Sequence, residues 1–113
     1  MLVVDDKRDA ADTLAWVLKL KGHVVDVTYD AESALKQVEA ACPDVALLDI
    51  GLPDVDGFEL ARRMSVRAPS IRLVAVSGYG RAIDRQRSSD AGFHGHIVKP
   101  VDLDLLDAAL HPA

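Results

Sequence analysis

One cysteine stands in 113 residues, so this chain can build neither an internal disulfide nor a zinc site made of several thiolates. Long apolar runs are lacking too, and none approaches the ~20 residues that a membrane-crossing helix needs. The extended apolar segment of a secretory leader is missing, because Met1-Leu2-Val3-Val4 runs directly into Asp5-Asp6. Positive charge is in short supply: 13 Lys and Arg face 18 Asp and Glu, for a formal net charge of −5. A general nucleic-acid binder needs a basic face against the phosphate backbone, so that class is set aside together with the membrane, disulfide-framework and zinc-finger classes. What remains, 50% apolar and 27% charged, is the mixture of an ordinary globule. The length is that of one domain, expected to span residues 1–113 and able to bury about two-thirds of its extended surface. These bounds point to a cytoplasmic protein with no contact to membrane or nucleic acid.

The charge is unevenly placed. Residues 1–61 carry thirteen acids and five bases, whereas residues 62–87 carry seven arginines and the single acid Asp84. Most such arginines solvate exposed helix faces, and Arg81, Arg85 and Arg87 are candidates for choosing a partner.

A short apolar run followed by a helical pattern recurs five times along the chain. Leu2-Val3-Val4 reads as a buried strand, and Ala11, Leu14, Ala15 and Leu18 follow at helical spacing until Gly22. Val24 to Thr28 is β-branched and strand-like, and Asp30 is placed to cap a helix carrying Ala31, Ala34, Leu35 and Val38. Val45 to Leu48 is continuously apolar, as a strand covered on both faces should be. Phe58, Ala61 and Met64 mark the next helix, and Ile71 to Val76 the fourth strand. Residues 82–91 form a weakly apolar helix, His94 to Val98 a fifth strand, and Leu103, Leu106 and Leu110 a last helix capped by Asp102. Strands alternating with helices in this way imply a parallel sheet with helices on both faces, a three-layered α/β fold. Ligands in such folds bind beyond the carboxyl ends of the strands.

Those ends carry chemistry. Asp5 and Asp6 follow the first strand, Asp49 the third, Ser77 the fourth and Lys99 the fifth. Each is unremarkable alone: an Asp pair often only starts a loop, and Ser-Gly and Lys-Pro are common turn pairs. Together they converge on one end of the sheet. Clustered carboxylates repel, and a hard cation among them offsets the repulsion; oxygen ligands with open positions suit Mg2+. An aspartate beside a divalent cation and a lysine can attack phosphorus, with the hydroxyl and ammonium meeting the phosphoryl oxygens.

Four ordered segments, Leu2-Val3-Val4-Asp5-Asp6, Leu47 to Gly57, Val76-Ser77-Gly78 and Val98-Lys99-Pro100, closely resemble the receiver domains of two-component response regulators. The resemblance covers nearly the whole chain. It implies a flavodoxin-like, doubly wound five-stranded parallel (βα)5 fold with strand order 2-1-3-4-5. It also implies Asp49 as phosphoacceptor, Asp6 as direct Mg2+ ligand, Asp5 as its neighbour acting mainly through water, and the Gly51 backbone carbonyl as a further ligand. Ser77 takes the place of the switch hydroxyl and Lys99 that of the lysine paired with Asp49 or its phosphoryl oxygens, ahead of a cis bond to Pro100. Two positions depart from the family pattern. His96 stands where Tyr or Phe is usual, and is expected to be an exposed polar residue of an edge strand. Gly51 and Tyr79 flank the phosphate site, where they bear on how long the phosphoryl group lasts.

The function implied is a Mg2+-dependent signalling switch, loaded on Asp49 by a histidine kinase or histidine phosphotransfer protein and read by an unidentified output partner through the 81–110 face. It is not an enzyme beyond catalysing its own phosphorylation and dephosphorylation. No effector domain is evident, which suits a stand-alone regulator or the receiver of a hybrid histidine kinase. Two other classes compete. A Mg2+-dependent phosphohydrolase using Asp49 would want a second acid two residues on, where Gly51 stands. A docking domain independent of phosphorylation would have no use for five site residues. No dinucleotide fingerprint survives, since Ile83 occupies the place of the third glycine after Gly78 and Gly80, and Leu52 breaks a calcium loop at Asp54-Val55-Asp56. Cys42, beside Pro43, reads as a small packing residue and Trp16 as a partly exposed one.

Overall fold

The computed structural model describes residues 1–51, 55–77 and 90–98. Its elements run β1 (Leu2–Val4), α1 (Arg8–Leu20), β2 (Asp26–Thr28), α2 (Ala31–Ala40), β3 (Val45–Asp49), α3 (Gly57–Arg67), β4 (Arg72–Ser77) and β5 (Gly95–Val98). The strands form one sheet of order β2-β1-β3-β4-β5, and every pairing in it is parallel. This is the flavodoxin-like, doubly wound arrangement expected from the sequence. The expected helix over 82–91, apart from its last residues, and the one capped by Asp102 lie outside the described residues.

Side chains alternate across the strands, and both faces are covered, which is why the strands read as unbroken apolar runs. On one face Leu2, Val4, Leu48, Leu73 and Ala75 pack with Ala34 and Val38 of α2 and with Leu60, Ala61 and Met64 of α3. On the other, Val3, Leu47, Val74, Val76 and Ile97 pack in a cluster with Ala11, Ala15 and Leu18 of α1. Leu18, Leu47, Leu48, Leu60, Met64 and Leu73 are fully buried. Each contributes about 1.5–3 kcal/mol by leaving water.

Local signals set the helix ends. The Asp30 carboxylate accepts the Ser33 N–H at 2.7 Å and caps α2, and Asp56 accepts the Phe58 N–H at 2.8 Å at the start of α3. The Ser33 bonds hold the Asp30 carboxyl below its ordinary pKa. Helix α1 ends at Gly22, whose φ of 96° lets the His23 N–H turn back to the Leu18 carbonyl.

Two expectations needed correction. Strand β2 begins at Asp26 rather than Val24, because pairing with β1 starts at Leu2↔Asp26; Val24 lies before that register and is 84% exposed. Cys42 is exposed in the turn between α2 and β3 and packs into no core. Trp16, off the apolar stripe of α1, is exposed as its spacing suggests.

Candidate functional site

The site forms where β1, β3 and β4 end side by side. Asp5 leaves β1 with its N–H bonded to the Thr28 carbonyl of β2, and its Oδ1 accepts the Lys7 N–H at 3.0 Å. That Asx-type bond turns the chain from strand into α1 and fixes the carboxylate. Asp49 is the last residue of β3, in register with Val76 of β4. Its Oδ1 accepts the Gly51 N–H at 2.8 Å, and the intervening Ile50 N–H reaches the Val76 carbonyl. The carboxylate is therefore held by its own loop. Ser77, one residue beyond Val76, is completely buried.

Ligand oxygens of Asp5, Asp6 and Asp49 all lie within 4.8 Å of one another. Asp5 and Asp49 are only 5% and 8% exposed, and Asp6 is the most open of the three. At such separations each pair of negative charges repels by roughly 3 kcal/mol at an effective dielectric of about 20. The ligands of an octahedral Mg2+, at about 2.1 Å from the ion, stand about 3–4 Å apart. Three carboxylates gathered this closely, all oxygen donors, thus fit a hard divalent cation after small adjustments. Gly51 sits in the same loop, two residues after Asp49, where its carbonyl is a candidate further donor.

A second layer supports this edge. Gly57, the first residue of α3, donates its N–H to the Ile50 carbonyl at 3.3 Å. A Cβ there would lie 2.4 Å from Ile50 Cα and 2.9 Å from the Asp49 carbonyl oxygen. Only glycine lets α3 approach the Asp49 loop so closely. Nearby, the Tyr29 hydroxyl after β2 donates to Asp12 Oδ1 at 2.6 Å, and the Arg8 guanidinium lies 4.1 Å from the Tyr29 ring centroid. The Asp12 bond raises the Tyr29 pKa, and the trio ties the start of α1 to the end of β2.

Asp5, Asp6 and Asp49 come together as the sequence predicts, and Ser77 ends the strand beside Asp49. Lys99, Tyr79 and the Lys99–Pro100 bond lie outside the described residues, as does the 81–110 face except for residues 90–98. Two features were missed at the level of sequence. Gly57 enters the sequence reading only as the end of the Leu47 to Gly57 segment, although its place at a helix start after a strand-end aspartate hints at close packing. His96 carries no sequence signal for its contact: its Nε2 lies 2.9 Å from Ser77 Oγ.

The profile of the response regulator receiver domain family matches residues 1–111. The chain belongs to that family. It is 33% identical to sporulation initiation phosphotransferase F of Bacillus subtilis, a match covering 92% of this chain and 84% of that protein. Among solved structures, a CheY-like response regulator receiver domain protein from Methanospirillum hungatei superimposes with a TM-score of 0.86 at 33% identity, over 94% of this chain and 86% of that one. A response regulator from Burkholderia pseudomallei, crystallised with a phosphorylated aspartic acid, a calcium ion and citrate, gives a TM-score of 0.89 at 26% identity, over 98% of this chain and 65% of that one. The chain spans about half the length of several curated response regulators and transcriptional regulatory proteins it matches, 43% to 49% of each. Receiver domains are the signalling modules of two-component systems, phosphorylated by histidine kinases or phosphotransfer proteins. Among the described residues no helix is long and apolar enough to cross a membrane.

Proposed function

We propose that this chain is a Mg2+-dependent phosphorylation switch, one receiver domain over residues 1–113, in which Asp49 accepts a phosphoryl group from a phosphohistidine donor in the cytoplasm. The observation that carries this reading is the buried Asp49 carboxylate, pinned by the Gly51 N–H and gathered with Asp5 and Asp6. The phosphorylated aspartic acid and calcium ion of the Burkholderia pseudomallei regulator support both the acceptor and the cation.

The chemistry follows from this reading. Asp49 attacks phosphorus in line with the leaving imidazole; a P–O bond forms as the P–N bond breaks, and the imidazole keeps the bonding pair and takes a proton from water. The Gly51 N–H holds the attacking carboxylate in one orientation, so little entropy is lost on the way to the transition state. Asp5, Asp6, Asp49 and the Gly51 carbonyl would hold Mg2+, which when bound draws negative charge off the phosphoryl oxygens. Ser77 then donates its hydroxyl to one phosphoryl oxygen and the Lys99 ammonium pairs with another. Conformational output passes through the 81–110 face to a partner of its own.

Incubation with acetyl phosphate and Mg2+, read by intact mass, tests this. Wild type gains one phosphoryl group and Asp49→Asn gains none. An unmodified wild type, or an adduct that persists in the variant, overturns the assignment.

A further inference from the structure

Three of the four large apolar side chains exposed among the described residues fall between positions 16 and 24: Trp16 at 64%, Leu20 at 68% and Val24 at 84%. Trp16 and Leu20 lie one turn apart on α1, on the side opposite the buried Ala11, Ala15 and Leu18. That side carries its charge in a definite order. Asp12 and Thr13 stand one turn before Trp16, Lys19 and Leu20 one turn after it, and all are exposed. Lys19 has no ion-pair partner among the described residues.

An indole beside a leucine is apolar area that gains from being covered, and the charges say by what. Acid before the indole and base after it make the stripe complementary to itself turned about a two-fold axis. When two α1 helices lie antiparallel with that axis midway between positions 15 and 16, Asp12 faces Lys19 of the second copy and Lys19 faces Asp12 of the second copy. The two indoles then meet at the axis, with Leu20 beside them. A parallel pair would instead set acid on acid and base on base, and a partner of one charge sign would match only half of the stripe. The Tyr29 hydroxyl already donates to Asp12 Oδ1, and a carboxylate has room to accept a lysine as well.

We propose that α1 docks antiparallel on α1 of a second copy of this chain, through Trp16, Leu20 and two symmetric Asp12–Lys19 pairs, to give a weak two-fold dimer. The surface lies apart from the carboxylate cluster and does not rest on the phosphoacceptor reading. A helix of 13 residues presents a face about 20 Å long, short of a standard interface, so association is micromolar rather than nanomolar.

Analytical ultracentrifugation of the full chain up to about 1 mM, with tryptophan emission read on the same samples, tests this. Trp16 is the one tryptophan in the chain, so its emission moves to the blue as the dimer forms. Trp16→Glu weakens association about 30-fold or more, the loss expected of a central aromatic anchor. Asp12→Lys and Lys19→Glu each bring like charges together and stay monomeric alone. Their equimolar mixture associates, because each variant supplies the charge that the other has lost. Asp49→Asn leaves association unchanged. A wild type that stays monomeric with emission independent of concentration, a dimer that survives Trp16→Glu, or a mixture that associates no better than its parts would overturn the proposal. Should Asp12→Lys fail to fold by circular dichroism, Trp16→Glu and Lys19→Glu still decide it, since both change exposed side chains.

Discussion

Replacing Gly57 with alanine sets two physical effects against each other, and the structure says which prevails. Alanine is the better helix former, by up to about 1 kcal/mol over glycine in a helix interior and less at a first turn. Against that gain, the new Cβ would stand 2.4 Å from Ile50 Cα, 2.9 Å from the Asp49 carbonyl oxygen and 3.1 Å from Ile50 Cβ. Carbon atoms in contact prefer about 3.5–4.0 Å, so the helix start and the Asp49 loop must separate by roughly 1 Å. The atoms in the way are mostly backbone, and no rotamer change relieves them. Forced overpacking of this kind costs about 1–3 kcal/mol, and the stretched Gly57–Ile50 hydrogen bond adds to it. Gly57→Ala is therefore expected to lose about 1–3 kcal/mol in urea unfolding with an unchanged slope, and to take up phosphoryl more slowly because Asp49 is carried out of line. A variant as stable as wild type, or more stable as helix propensity alone would have it, refutes the steric argument.

Other outcomes are open to similar tests. If the proposed Mg2+ site exists only where Asp5, Asp6 and Asp49 are gathered, Mg2+ should raise the melting temperature over that in chelator, by an amount that grows with ion concentration, and Asp6→Asn should blunt the rise. Asp30→Ala should cost about 1 kcal/mol through loss of the α2 cap, measured by denaturant unfolding at neutral pH. The folded-state pKa of Asp30 is lowered, so its contribution is complete above the unfolded value of about 3.9 and disappears as pH falls through the folded one. Asp30→Asn, which caps without ionising, should flatten that part of the acid limb. Met64→Ala should cost about 2–5 kcal/mol in the same assay, since the side chain is fully buried between α3 and the sheet.

The layered fold was legible because its code is local. Val45 to Leu48 had to be covered on both faces, Asp30 had to cap something, and Gly22 had to stop α1; each signal acts within a few residues. Asp5, Asp6, Asp49 and Ser77 could be picked out because parallel strands place all their carboxyl ends on one side, so the residue after each run is already located. Where neighbours come from distant sequence, the local code was silent. Val24 is as β-branched as Val25, yet only β1's register decides that pairing begins at Asp26. Cys42 has a small apolar side chain, but it falls in a turn where no core is within reach.

By itself, then, the sequence determined the alternation of strands and helices, the caps, and the carboxylates and hydroxyl that meet at the sheet's edge. Only the tertiary structure decided that Gly57 must stay bare against Ile50 and that His96 is bonded to Ser77, nineteen positions away. The physical reason is that periodicity and capping record what a residue does with its own backbone. The distance between two side chains on adjacent strands is set by register and packing, which no short stretch of sequence contains.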